Sequence, residues 1–148
     1  MIYLNTDIFV LDRFFPQDTR YNLNTQFLQE SKDEKRATTI YNLLEFLGLA
    51  SFNLSEIELN KMFVGFGSLY SVVIAYPHMA VASPQEFLEQ QIEQTLAKIR
   101  LKMNFSDALI LQTVEQGDPR AFITWNKKHF RGRTTTPIHT PEEFLEQN

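Results

Sequence analysis

The first ten residues constrain the architecture of this chain more than any other stretch. In Ile2-Tyr3-Leu4-Asn5-Thr6-Asp7-Ile8-Phe9-Val10 a short apolar run is cut by three small polar side chains, after which apolar residues resume in helical order. Tyr3 and Leu4 read as a buried strand, and Ile8 through Leu11 as the start of a helix. Open α/β sheets gather their chemistry where a strand ends in polar side chains just before a helix, at the carboxyl edge. Asn5 and Asp7 are therefore the first candidates for function.

The same strand-then-helix order recurs downstream. A second helix is expected from residue 23 to about 32, with Phe27 and Leu28 inward, and the charged run 32–36 after it reads as a solvated turn. Thr38 and Thr39 suit an N-cap and Gly48 a helix stop, with Ile40, Leu43, Leu44 and Leu47 as a core stripe. Ser55 with Glu58 forms a capping box for a helix through Met62 and Phe63. Residues 70–76 read as a second strand, buried on both faces and ended by Pro77. Ser83-Pro84-Gln85-Glu86 opens a helix whose apolar seam is Leu88, Ile92, Leu96, Ile99 and Met103. A separate helix runs from near Ser106 to just before Gly117. Residues 121–125 read as a third strand, Ile138 marks a short fourth, and Thr140-Pro141-Glu142-Glu143 caps a terminal helix. The alternation predicts the α/β class: an open, mainly parallel sheet of four or five strands with helices on both faces. With 148 residues, one domain spanning 1–148 is expected.

Composition removes several kinds of chemistry. The chain has no cysteine, which excludes disulfides, thiol nucleophiles and Cys-type zinc sites and fits a reducing cytoplasm. A net charge of −4 argues against broad attraction to nucleic acid. The densest basic run is nevertheless Lys127, Lys128, Arg131 and Arg133, with His129 among them. His78, His129 and His139 form no HxxxH-type pair and have no nucleophile in a recognisable setting, and the glycines fit no phosphate-binding loop. The opening lacks the basic start of a signal peptide. Residues 64–85 carry no charge and are long enough for a membrane span, but Gly65, Gly67, Pro77, Pro84 and the β-branched Val72-Val73-Ile74 favour a helix end, a strand and a loop. No membrane association is expected.

Three acids stand where a core-building sequence would not choose them. Glu45 is embedded in Leu43-Leu44-Glu45-Phe46-Leu47, and a buried lone carboxylate is costly unless paired or bound to a cation; the alternative is that it is the one solvent-facing residue of its turn. Asp107 and Asp7 both sit at helix starts, where an acid is favourable by the helix dipole alone. Together with Asn126, after the third strand, these side chains present oxygens around one sheet edge, as a hard-cation site requires.

Four segments in this order resemble a PIN domain of the small single-domain kind found in VapC-type toxins. They are Tyr3-Leu4-Asn5-Thr6-Asp7, Asn42-Leu43-Leu44-Glu45, Ser106-Asp107-Ala108-Leu109-Ile110 and Ile123-Thr124-Trp125-Asn126-Lys127-Lys128-His129-Phe130. The ending from Ile138 to Leu145 also matches, so the resemblance spans the whole chain. It implies a Rossmann-like sandwich, a cluster of acids holding Mg²⁺ or Mn²⁺, and endonucleolytic cleavage of RNA. It further implies a toxin restrained by a cognate antitoxin, and a homodimer. Glu45 and Asp107 match the second and third acids of the family. Asn5 and Asn126 occupy the places of the first and fourth, because the chain reads Asn5-Thr6-Asp7 where the family usually opens Asp-Thr-Asn. Asp7 is the candidate replacement. The resemblance thus assigns catalysis to Asp7, Glu45 and Asp107, and the metal to these three with Asn5 and Asn126. Thr6 and Thr124 would bond the ligands or a phosphate oxygen, and Lys127, Lys128, Arg131 and Arg133 would hold the RNA backbone. The alternative is a degenerate PIN domain that binds RNA or protein without catalysis, since an amide brings a metal site neither charge nor basicity.

Overall fold

The structure, a computed structural model, describes residues 1–147. At the centre of the sheet lies β1 (Ile2–Leu4), between β2 (Arg36–Thr39) and β4 (Ala121–Ile123). The edges are β3 (Val73–Ala75) and β5 (Ile138–His139), giving the order β3-β2-β1-β4-β5 with every pairing parallel. Parallel neighbours need crossovers, which the helices provide. These are α1 (Thr6–Phe14), α2 (Tyr21–Glu30), α3 (Ile40–Ala50), α4 (Glu56–Tyr70), α5 (Pro84–Arg100), α6 (Phe105–Gln116) and α7 (Pro141–Leu145). The expected class, an open parallel sheet between helical layers, is the one observed.

Side chains of a strand alternate between faces, and here the alternation divides the core in two. Ile2 and Leu4 join Phe9, Phe27, Phe46 and Phe66 on one face. Tyr3 and Phe122 join Ala108, Ile110 and Phe130 on the other. Phe66 lies 4.9 Å from Phe9 and 5.2 Å from Phe46 between ring centroids, both steeply inclined, a geometry that adds to the transfer free energy of the buried rings. Three capping residues anticipated from the sequence do their work: Thr39, Ser55 and Thr140 each accept the N–H three residues on, completing capping boxes.

Three expectations are corrected. First, the charged run 32–36 is not wholly a solvated turn. Ser31–Asp33 forms one 3₁₀ turn, but Arg36 begins β2 and is only 3% exposed. Its guanidinium donates to the Leu28 carbonyl at 2.8 Å, the Ser31 hydroxyl at 3.2 Å and the Tyr70 carbonyl. The cation thus sits at the carboxyl ends of α2 and α4, where the helix dipoles favour it. Second, residues 70–76 are not one buried strand. Helix α4 continues to Tyr70, Ser71 turns the chain in the left-handed region (φ 52°), and only Val73–Ala75 pairs. β3 is an edge strand, which leaves Val73 61% exposed. Third, the seam Leu88, Ile92, Leu96 and Ile99 faces outward on α5, and Met103 lies beyond the helix end. α5 packs on α6 through a polar ladder instead: the Gln112 amide donates to Gln91 at 2.9 Å and the Thr95 hydroxyl to Gln112 at 3.0 Å. The uncharged stretch 64–85 is shared among the end of α4, β3 and the following loop, and no helix among the described residues is long and apolar enough to cross a membrane.

Candidate functional site

The strands β1, β2 and β4 run parallel, so their carboxyl ends lie together, and the residues at or just past those ends are polar: Asn5, Thr39 and Thr124. A buried chain of hydrogen bonds links them. Asn42, at the third position of α3, has its amide oxygen filled by the backbone and hydroxyl of Thr39 at 3.1 and 2.7 Å. Its amide nitrogen donates to Asn5 Oδ1 and to Thr6 Oγ1, both at 2.9 Å. Asn5 Nδ2 in turn donates to Thr124 Oγ1 at 3.1 Å. Buried amides need partners at both ends, and Asn5 has them within the chain.

Thr124 passes the network on to Asp7. Asp7 Oδ2 accepts the Thr124 hydroxyl at 2.8 Å and the backbone N–H groups of Trp125 and Asn126 at 2.9 and 3.1 Å. Its Oδ1 is buried and has no hydrogen-bond partner. Burial raises the Asp7 pKa to about 6, outweighing the lowering effect of those donors and of the nearby Ile8 backbone N–H. Asp7 borders a concavity of about 220 Å³ together with Phe15, Asp18, Arg20, Trp125 and Asn126.

Glu45 and Asp107 form a different group. The Ser106 hydroxyl, at the start of α6, donates to Glu45 Oε1 at 2.5 Å across from α3. Asp107 is held by Asn104 in a reciprocal cap: its N–H donates to Asn104 Oδ1 at 2.8 Å while Asn104 Nδ2 donates to Asp107 Oδ2 at 2.7 Å. His129 Nδ1 lies 3.2 Å from the same oxygen. Burial pushes the Asp107 carboxyl up and the neighbouring Glu45 charge adds to this, against the pull of His129 and Asn104. Both open alternatives thus resolve together: Glu45 is half-buried beside a second acid, and Asp107 caps its helix while also facing Glu45.

The structure therefore pairs Glu45 with Asp107 and gives Asp7 its own surroundings. Thr6 and Asn5 belong to the buried chain, and the Asn126 side chain is exposed beside Asp7. Of the basic residues, Lys127 is paired with Glu143 at 2.7 Å, and Arg133 donates to the carbonyls of Leu101 and His129. Lys128 joins Lys102, Arg133 and His129 around a concavity of about 350 Å³ that reaches Asp107, and Arg131 is exposed outside it. Asn42, Asn104 and Lys102 were not among the candidates read from the sequence. Asn42 sits one helical turn before Glu45 in the segment already singled out, and that spacing was the available signal.

Among the described residues no three acids or histidines stand close enough to hold one ion together. What the edge offers a cation is one oxygen from Glu45 and one from Asp107, the oxygen of each that accepts no hydrogen bond from the chain. This donor set fits Mg²⁺ or Mn²⁺, which bind through one or two carboxylates and keep several waters. It is a sparse set, because Asn5 spends its oxygen on Asn42 and Asp7 is turned to the loop after β4.

No family model and no curated protein matches the chain. Solved structures do share its fold. FitAB bound to the IR36 DNA fragment is 17% identical with a TM-score of 0.61, the match covering 95% of each chain. A toxin-antitoxin complex from Klebsiella pneumoniae is 19% identical with a TM-score of 0.62, covering 95% of this chain and 98% of the other. FitAcB from Neisseria gonorrhoeae is 14% identical with a TM-score of 0.64, covering 96% and 99%. At such identities the likeness is one of fold, and the fold is the one that the resemblance to PIN domains implied.

Proposed function

We propose that this chain is the toxin-type member of a toxin–antitoxin pair and hydrolyses RNA phosphodiester bonds at a centre built on Glu45 and Asp107, with Mg²⁺ or Mn²⁺ as cofactor. The observation that carries the reading is the meeting of these two acids, from α3 and α6, at the carboxyl edge of a parallel sheet. Likeness of fold to a toxin-antitoxin complex supports the partner. Ser106 orients Glu45, and Asn104 with His129 orients Asp107, which would leave one oxygen of each acid for the ion. Lys128 and Lys102 hold the phosphate on the Asp107 side. When bound, the divalent ion supplies a more acidic water and charge at the leaving oxygen. An RNA substrate would be met in the cytoplasm, which is the compartment we assign to this activity. The outward ridge of Leu88, Ile92, Leu96 and Ile99 supplies an apolar face for a homodimer.

One observation favours a second reading, a PIN-like module that binds RNA or protein without cutting. Asn5 is committed to Asn42 and Thr124, and Asp7 to the loop, which leaves two carboxylates where the resemblance implies four acids. Incubating structured RNA with the protein and Mn²⁺, beside Asp107→Ala, separates the two. Metal-dependent cleavage lost in the variant supports the nuclease. Cleavage that is absent, or the same in both, removes it in favour of the binding module.

A further inference from the structure

We propose that the concavity walled by Arg20, Trp125 and Asn126 takes one unpaired RNA base, beside the Glu45–Asp107 centre. The inference rests on the reading of RNA as the ligand, and adds where and by what part the strand is recognised.

The wall is built before any ligand arrives. Trp125 donates its indole N–H to Asn24 Oδ1 at 2.8 Å, and its backbone N–H is held by Asp7. Asn24 is itself fully buried, its amide donating to the Ile8 carbonyl at 3.0 Å. The Arg20 guanidinium carbon lies 5.7 Å from the centre of the indole. Its plane is fixed by two bonds to the Asp18 carboxylate, at 2.9 and 2.7 Å. Aromatic rings and guanidinium planes are the surfaces on which unstacked bases lie in single-stranded RNA recognition, and a pre-ordered pair costs little entropy on binding.

Charge selects the base over the phosphate. Asp18 neutralises Arg20, and this pairing holds the Asp18 carboxyl down at about 2. Asp7 adds a further acid behind the wall. The pocket therefore has no net attraction for phosphate, whereas the neighbouring concavity with Lys102, Lys128 and Arg133 does. Asn126 presents an exposed side-chain amide with no hydrogen bond to the chain, one acceptor and two donors suited to the polar edge of a base. At about 220 Å³ the space falls below the roughly 300–1,000 Å³ of sites for drug-sized ligands, the scale of a single base. The two concavities flank one short 3₁₀ turn, Lys127–His129. Asn126 and Lys128 are separated by at most ~7 Å of chain, so one strand crossing the turn sets a base on one side and a phosphate on the other.

Trp125 is the single tryptophan of the chain, and its emission reports on the pocket directly. Wild-type protein in EDTA is titrated with a short single-stranded oligoribonucleotide and with its abasic counterpart. The RNA is expected to quench Trp125 to saturation, and the abasic strand to bind about fivefold or more weakly without quenching. Arg20→Ala should weaken the RNA by about two- to fivefold; Asn126→Ala, an exposed side chain, gives a second variant with an intact fold. Equal binding of the abasic strand, RNA binding without a change in emission, or unchanged affinity in both variants overturns the pocket. The titration is read without divalent ions and so is independent of catalysis. Quenching without any cleavage under Mn²⁺ keeps the pocket and removes the nuclease, and cleavage with base-independent binding does the reverse.

Discussion

Replacing Asp7 with Asn isolates the cost of enclosing its carboxylate in the fold. The Asp7 pKa rises from 3.8 to about 6 on folding, largely through burial, so holding it charged at neutral pH costs about 3 kcal/mol at roughly 1.4 kcal/mol per unit. An asparagine keeps an oxygen for the donors of Thr124, Trp125 and Asn126, but places an NH₂ where Oδ1 now lacks any partner. That unsatisfied donor costs about 1–3 kcal/mol, so the two proteins should be close in stability at pH 7, with the variant equal or slightly ahead. The pH dependence is sharper. The folded protein binds this proton more tightly than the unfolded chain, so the contribution of Asp7 is fully present below about pH 4 and lost as pH climbs through about 6. Between pH 5 and pH 7 the wild type should lose about 1.3 kcal/mol relative to Asp7→Asn, about 3–5 °C in melting temperature for a chain of this size. Thermal and urea melts of both proteins at the two pH values give this double difference, in which every other titrating group cancels. A stability difference that does not change with pH, or a wild type that gains on the variant as pH rises, refutes the assignment of a buried, raised Asp7.

Gly117→Ala should destabilise the protein by about 1–3 kcal/mol in urea unfolding, because an added Cβ would stand 1.8 Å from the Tyr3 hydroxyl oxygen and 2.7 Å from the ring carbon that bears it. Tyr3→Phe in the same chain should recover only part of the loss. Arg36→Met should cost at least about 2 kcal/mol by the same assay, since it strips the carbonyls of Leu28 and Tyr70 of their charged donor. The double exchange Asn5→Asp with Asp7→Asn keeps net charge constant and moves one carboxylate next to Asn42, one helical turn from Glu45. Calorimetric Mn²⁺ titration should show tighter binding than in the wild type, and an unchanged affinity would mean that position 5 does not face the Glu45–Asp107 pair.

How far the fold could be read from the chain depended on whether a segment's signal was local. Caps are local, and Thr39, Ser55, Ser83 and Thr140 all start helices where their spacing indicated. β2 was hidden because Arg36 looks solvated until two helix ends, separated from it in sequence, are brought around its guanidinium. The helical seam of α5 was legible as periodicity, but periodicity gives a face and not its partner; the buried side is the one carrying Gln91 and Thr95. At the candidate site, Glu45 and Asp107 stand out in the sequence as acids in apolar company, and the fold sets them near enough for the Glu45 charge to act on Asp107. The destination of Asp7 was not legible, because two residues of spacing near a strand end do not say whether a carboxylate follows the strand or turns with the helix. The backbone donors of Trp125 and Asn126 decide it, and backbone N–H groups leave no mark in a sequence.

The buried chain Thr39–Asn42–Asn5–Thr124–Asp7 gives the two concavities a common frame. It begins at the cap of α3, the helix that carries Glu45, and ends on the loop that carries Trp125 and Asn126. Thr39, Asn42, Asn5 and Thr124 each donate and accept, Asp7 ends the chain as an acceptor, and a half-satisfied buried network costs more than an apolar one. Rotating any member therefore strands another, so the network admits few alternative arrangements. Carboxylates at positions 5 and 126 would add charge to a metal centre, but a carboxylate at position 5 has no N–H to give Thr124. The amide at position 5 can donate and accept at once, and this lets it join α3 to the loop after β4. The same amide that adds no charge at this edge thus links the helix carrying Glu45 to the loop carrying Trp125.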